Sequence, residues 1–129
     1  EKSMTYSGAV YGQYDETSFR EAVRRCRFCV TITSTESQGI AYQEILSMGV
    51  PCYVVEKTQW NDRPGISCLA SSAPYFDSRC GIKCPDLSFF DTFLSELEKY
   101  DPREYILDNL TLEKCASEYF SLLEMSHGS

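Results

Sequence analysis

Two glutamates stand near the predicted entrance of one helix in the middle of the chain. Glu36 lies in the polar turn of residues 34–39, and Glu44 lies on the second turn of the helix that follows. Amides at a helix start have no acceptor within the helix and can bind a phosphate or a hydroxyl. The amides at this start belong to Gln38, Gly39 and Ile40. Because a carboxylate–hydroxyl hydrogen bond contributes roughly 1.5–3 kcal/mol, paired carboxylates suit a ligand with hydroxyl pairs at both ends, such as a sugar nucleotide.

Apolar periodicity predicts the elements that position these groups. The predicted strands cover residues 4–10, 28–33, 52–55, 66–70 and 82–84. The predicted helices cover residues 15–26, 38–48 and 88–99, a segment opened by Asp101 and Pro102, and residues 111–124. Strands that alternate with helices favour an α/β fold, here a Rossmann-like parallel sheet with flanking helices. Ligands of such sheets bind beyond the carboxyl ends of the strands, where residues 34–39 and the polar loop of residues 56–65 are expected.

Two helices carry further expectations about packing. In the helix of residues 38–48, the predicted buried stripe consists of Ala41, Ile45 and Met48. The last helix is predicted to be amphipathic. Its predicted apolar face consists of Leu112, Cys115, Ala116, Tyr119, Phe120 and Leu123.

Length and composition restrict the class of protein. With 129 residues, of which 43% are hydrophobic, we expect one folded domain at residues 1–125 and a frayed tail at residues 126–129. Nineteen acidic residues against twelve basic ones give a net charge of −7, which disfavours a nucleic-acid partner. No apolar run reaches the length of a membrane span, and no leader is visible, so a cytoplasmic location is expected. The first residue is Glu1, which indicates a fragment or a processed chain.

Seven cysteines raise the question of metal or disulfide chemistry. Cys26 and Cys29 have the spacing of a zinc knuckle, but Cys26 ends a predicted helix and Cys29 lies in a predicted strand. Cys52 and Cys115 occupy apolar positions of periodic segments. We therefore expect buried free thiols in a reducing compartment, and no metal site.

The segment STESQGIAYQEILSMGVPCYVV, residues 34–55, resembles the donor-site signature of family-four retaining glycosyltransferases of the GT-B fold. It contains a Ser, a Glu, a glycine turn, a helix with a second Glu separated from the first by seven residues, Gly-x-Pro and an apolar strand. Residues 71–82 resemble the second glycine-rich loop and the strand that follows it, residues 103–123 the closing helices, and residues 10–30 an upstream strand–helix–strand unit. Spacing alone would be weak evidence, because Glu96 and Glu104 have it too.

The resemblance implies a function and roles for single residues. The chain would be the donor-binding half of an enzyme that moves a sugar from a nucleotide-sugar to an acceptor with retention, without metal or other cofactor. Glu36 would be catalytic and support positive charge at the anomeric carbon. Gln38, Gly39 and Ile40 would donate backbone amides to sugar hydroxyls or the diphosphate. Glu44 would hold the ribose hydroxyls.

The departures from that family concern charge and completeness. The first strands, their glycine-rich turn and the Arg/Lys pair that grips the diphosphate are missing, as is the acceptor-binding domain with its active-site His. Pro74-Tyr75 replaces Pro-Glu, and Ser71-Ser72 replace glycines. Arg79 or Lys57 could supply some positive charge. We expect an incomplete GT-B C-terminal half that is inactive alone and whose acceptor, a glycan or a small molecule, is unknown.

Two alternatives remain open. Residues 37–55 also look somewhat like nucleoside deoxyribosyltransferase and TIR-like folds, in which Glu44 would act on the sugar carbon of a nucleoside or NAD. Alternatively, the chain is a non-catalytic module that binds a nucleotide or a protein. Release of a free base would favour the first alternative, and partner binding that is unchanged in Glu36→Gln and Glu44→Gln would favour the second.

Overall fold

The computed structural model describes residues 3–128. The helices are α1 (Glu16–Arg24), α2 (Ile40–Ser47), α3 (Phe90–Ser95), α4 (Pro102–Asn109) and α5 (Leu112–His127), with a 3-10 helix at Leu97–Lys99. The strands are β1 (Cys29–Ile32), β2 (Cys52–Val55), β3 (Gln59–Arg63), β4 (Ile66–Leu69) and β5 (Gly81–Cys84). The region predicted as one helix at residues 88–99 is therefore divided between α3 and the 3-10 helix.

A three-stranded parallel sheet with the order β1-β2-β5 forms the centre of the fold. Cys29 is aligned with Cys52, and Cys52 is aligned with Gly81 on the other side. Parallel strands need crossover connections, and α2 lies between β1 and β2 in the chain. The predicted mixed α/β architecture with a parallel sheet and flanking helices is confirmed.

Helices cover both faces of this sheet. Alternate side chains of β2 point to opposite faces, and each set packs against a different group of helices. Cys52 and Val54 belong to a core cluster with residues of α1, α2 and α4. Tyr53 belongs to a second cluster around Phe93 of α3. Within α2, the buried residues are Tyr42, Ile45 and Leu46. The predicted stripe was thus correct for Ile45, whereas Ala41 and Met48 are only half-buried.

An antiparallel hairpin of β3 and β4 leaves the sheet after β2. Its turn contains Gly65 at φ +76°, a left-handed conformation that glycine adopts without strain. The predicted strand at residues 66–70 is β4, but the predicted loop at residues 56–65 contains β3. Both strands are largely solvent-exposed, so β3 lacks the apolar alternation that identifies a half-buried strand.

The predicted strand at residues 4–10 is wrong, because this segment has no regular secondary structure. No strand within residues 3–128 pairs with it, and a single strand without hydrogen-bonded neighbours is not stable in water.

The last helix, α5, differs from expectation in burial and length. Leu112, Tyr119 and Phe120 are all exposed, and none of the side chains described for α5 is buried. The helix also continues through His127, into the segment that was expected to fray. Glu1, Lys2 and Ser129, at the ends of the expected domain and tail, lie outside the described residues. Among residues 3–128, no helix combines the length and the apolar character needed to cross a membrane.

Candidate functional site

The turn between β1 and α2 lies at the carboxyl edge of the parallel sheet. It leads to Gly39, which precedes α2 with a left-handed φ of +70°. A side chain at this position would overlap the ring of Tyr42, so both the backbone angle and the available space require glycine. The sequence predicted a helix start that contains glycine, and the packing of Gly39 against Tyr42 of α2 explains why glycine is needed there.

No side chain of residues 3–128 caps the backbone amides at the start of α2. The amide of Gln43 donates to the carbonyl of Gly39 at 3.3 Å, and glycine offers no side chain to cap the earlier amides. Gln38 and Ile40 are exposed, while Gly39 is half-buried. The Gln38 carbonyl accepts from Gln43 Nε2 at 2.5 Å, which ties the turn to the helix. These three residues form one continuous edge at the start of α2.

The backbone of Glu36 is held by a hydrogen bond, whereas its side chain is exposed to solvent. Its amide donates to the carbonyl of Ser71 at 2.8 Å, which joins the turn to the segment after β4. The side chain is solvent-exposed and borders an open cavity of about 440 Å³. The lining residues are Thr35, Glu36, Ser37, Trp60, Cys68 and Ala70. We call this depression the Glu36 cavity; it lies between the turn and the hairpin.

Glu44 lies in a different depression, between α1 and α2. Its Oε1 is 3.5 Å from Nη2 of Arg20, which also pairs with Glu16 at 2.8 Å. The cavity here measures about 310 Å³ and is lined by Arg20, Arg24, Glu44, Ser47 and Met48. The structure thus assigns the two predicted carboxylates to two cavities that share no lining residue. A ligand that touches both has to reach from the turn before α2 to the second turn of α2.

A second polar cluster at the same sheet edge was not expected from the sequence. Glu56 directly follows β2, and its side chain is only 10% exposed. Its Oε1 accepts from Ser71 Oγ at 2.6 Å and lies 3.8 Å from Lys83 Nζ, while Oε2 is buried without a hydrogen-bond partner among the described residues. The sequence feature that could have indicated this cluster is a charged residue associated with each of two apolar strands. Glu56 follows β2, and Lys83 lies within β5.

The loop of residues 71–80 is fastened between this cluster and the helices. Lys83 donates to the carbonyl of Ala73 at 3.1 Å, and the Tyr75 amide donates to Tyr42 Oη at 3.0 Å. Ser72 Oγ accepts from the Lys57 amide at 2.9 Å. The two serines that stand where the resembled family has glycines therefore hold the loop through their hydroxyls.

Arg79 does not provide a free cation at the site. Its guanidinium pairs with Asp77 at 2.9 Å and with Asp108 at 2.7 Å, and lies 5.4 Å from the ring centre of Tyr105. The hydrogen bond from Arg79 lowers the pKa of the Asp77 carboxyl. Arg79 thus joins the loop to α4. The Lys57 side chain is exposed, although its backbone is held by Ser72.

All seven cysteines are free thiols, as expected, but their burial is mixed. Cys26, Cys68 and Cys115 are exposed, which contradicts their predicted burial. Cys26 lies beyond the end of α1, Cys68 lies on the exposed strand β4, and α5 buries no face. A hydrogen bond with the Cys52 thiol lowers the pKa of Cys29, while the pKa of Cys52 is raised. Within residues 3–128, no group of three or more His, Cys, Asp or Glu side chains is arranged to hold a metal ion.

Comparisons of the chain with protein-family models, with curated proteins and with solved structures give no match. The chemistry of the site therefore has to be inferred from its own geometry. The sheet edge presents a carboxylate, two hydroxyl side chains and an indole around the Glu36 cavity, beside the uncapped amides of α2. Such a set can bind a hydroxyl-rich ligand.

Proposed function

We propose that this chain is the donor-binding part of a retaining glycosyltransferase, an incomplete C-terminal half of a GT-B enzyme. A nucleotide-sugar would bind along α2, with the sugar at Glu36 and the ribose at Glu44. The amides of Gln38, Gly39 and Ile40 would donate to the sugar or the diphosphate. No metal or other cofactor takes part in this proposal.

One observation carries the proposal. Glu36 stands at the carboxyl edge of a parallel strand, in the turn that enters a helix started by an obligatory glycine. This is the position at which open α/β sheets bind their ligands, and the helix dipole there favours a diphosphate by about 0.3–1 kcal/mol. A carboxylate beside such amides can accept sugar hydroxyls while the amides hold the anionic part of the ligand.

The separation of the two carboxylates is compatible with an extended ligand. A nucleotide-sugar carries its sugar and its ribose at opposite ends of the diphosphate, so in this proposal one molecule occupies both cavities. Glu44 would accept the ribose hydroxyls in competition with Arg20, whose contact at 3.5 Å is long and partly exposed. Ion pairs of that kind contribute little and are readily replaced.

In the proposed reaction, Glu36 supports the positive charge that develops at the anomeric carbon as the diphosphate leaves. A second domain would bind the acceptor, a glycan or a small molecule. We therefore expect the 129-residue chain to bind its donor weakly and to transfer no sugar by itself.

The proposal is tested by ligand-observed NMR with UDP-glucose and GDP-mannose. We expect binding of at least one of them, and Glu44→Ala should remove most of it, because hydrogen bonds to a carboxylate are worth about 1.5–3 kcal/mol each. Glu118→Ala is the matched control, since it removes the same charge from an exposed position on α5.

The outcomes separate the alternatives. Equal binding by the wild type and the Glu44→Ala variant would contradict the proposal. Release of a free base from a nucleoside or NAD, abolished by Glu44→Gln, would instead support the N-glycosidic alternative. Absence of binding to either nucleotide-sugar would favour a non-catalytic module.

A further inference from the structure

Trp60 is the one partly shielded residue of the hairpin strands. Of the nine residues in β3 and β4, it alone is half-buried, while the other eight are exposed. It is aligned with Cys68 of β4, and both residues line the Glu36 cavity. The hairpin therefore contributes an indole to the wall of the same cavity that Glu36 borders.

The side chains around the cavity favour a sugar over the other parts of a nucleotide-sugar. Glu36, Thr35 and Ser37 provide a carboxylate and two hydroxyls, which pair with sugar hydroxyls. The negative face of an indole attracts the C–H groups of a pyranose ring. A phosphate would be repelled by the carboxylate, and a nucleobase offers no hydroxyls. The composition of this cavity therefore matches a neutral pyranose.

We propose that Trp60 stacks on the sugar ring of the donor while Glu36 accepts hydrogen bonds from its hydroxyls. This inference rests on the proposed donor-binding function and adds a binding residue that lies outside the helix-start segment. The β3–β4 hairpin then forms the outer wall of the sugar subsite. Trp60 is a binding residue in this account, and its loss changes affinity for the sugar part of the ligand.

The chain contains a single tryptophan, so its fluorescence reports directly on this cavity. UDP-glucose, GDP-mannose, UDP and GDP would each be titrated into the 129-residue chain, with fluorescence and calorimetry recorded in parallel. We expect a nucleotide-sugar to shift the emission of Trp60 and the matching free nucleotide to leave it nearly unchanged. Trp60→Ala should weaken nucleotide-sugar binding about tenfold and nucleotide binding less than twofold, whereas Trp60→Phe should retain most of the affinity.

Leu69→Ala is the control for the hairpin, because Leu69 is 89% exposed on β4 and lies outside the cavity lining. Nucleotide-sugar binding with unchanged emission and an unaltered affinity in Trp60→Ala would overturn the role of Trp60 and leave the proposed function standing. If neither nucleotide-sugars nor nucleotides bind, both proposals fail. An equal loss for Leu69→Ala would also overturn the inference, since it would assign the effect to the hairpin fold.

Discussion

Tyr42 Oη accepts a hydrogen bond from the backbone amide of Tyr75 at 3.0 Å. Tyr42 belongs to the first turn of α2, and its ring occupies the space beside Gly39. One side chain therefore connects the helix start, the turn that carries Glu36 and the loop of residues 71–80. The shape of the candidate site depends on this connection.

Removal of the phenolic oxygen should loosen the connection. Tyr42→Phe leaves the partly buried Tyr75 amide without its acceptor, and we expect a loss of about 1 kcal/mol in the free energy of unfolding. Urea unfolding followed by circular dichroism measures this loss. Tyr11→Phe is the control because Tyr11 is 90% exposed. Equal stability of the two variants would show that the Tyr42 hydrogen bond contributes nothing.

Gly39 is expected to tolerate no side chain. Gly39→Ala places a methyl group in a left-handed backbone and against the Tyr42 ring. Gly12→Ala meets a similar φ of +77° but open space, so it isolates the backbone cost. We expect Gly39→Ala to be the less stable variant by about 1–3 kcal/mol, the usual cost of overpacking. Thermal unfolding of both variants provides the comparison, and equal losses would contradict the packing argument.

The Asp77–Arg79 pair should make the free energy of unfolding depend on pH. Arg79 lowers the pKa of Asp77 below the ordinary 3.8, so the folded chain binds this proton less readily than the unfolded chain. The stabilisation is present above pH 3.8 and is lost as the pH falls through the lowered value. Asp77→Asn should therefore reduce stability at pH 6 and have a smaller effect at pH 2. Urea titrations of the variant and of the exposed control Asp62→Asn at both values test this expectation.

The pKa of the Cys29 thiol should depend on the neighbouring Cys52 thiol. The Cys52 thiol lowers its pKa through a hydrogen bond, and the thiolate is the form that alkylates. Cys52→Ala should therefore shift the iodoacetamide reaction of Cys29 to higher pH. Cys80, whose pKa burial raises to about 11, should stay unmodified in the folded chain. Peptide mass spectrometry resolves each site, and an unchanged Cys29 profile in the variant would exclude the thiol pair as the cause.

Local signals in the sequence were sufficient to predict most elements of the central fold. Asp101 accepts from the Glu104 amide at 3.0 Å and caps α4, at the helix start that was predicted at Asp101 and Pro102. This start was predictable because capping depends on residues only three positions apart. The apolar segments that became β1 and β2 were also identified. The segment of residues 4–10 was misassigned because its composition suits a strand, whereas a strand also needs a neighbour, which composition does not report.

The candidate site was only partly accessible to sequence reasoning. Glu36 and the glycine helix start follow from a local pattern, and the structure gives both a defined position. The contacts of Glu56 with Ser71 and Lys83 depend on the register of β2 and β5 and on the path of the loop, which no local pattern encodes. Likewise, the approach of Trp60 to Glu36 depends on a hairpin whose strands lack an apolar alternation.

The division of labour between Glu36 and Glu44 is the central claim, and calorimetric titration of UDP-glucose and UDP into both alanine variants tests it most directly. Glu44→Ala should weaken both ligands by about tenfold or more, because both contain the ribose. Glu36→Ala should weaken UDP-glucose to a similar degree and leave UDP within about twofold. Loss of UDP affinity in Glu36→Ala, or unchanged affinities in Glu44→Ala, would contradict the claim that the two carboxylates hold opposite ends of one nucleotide-sugar.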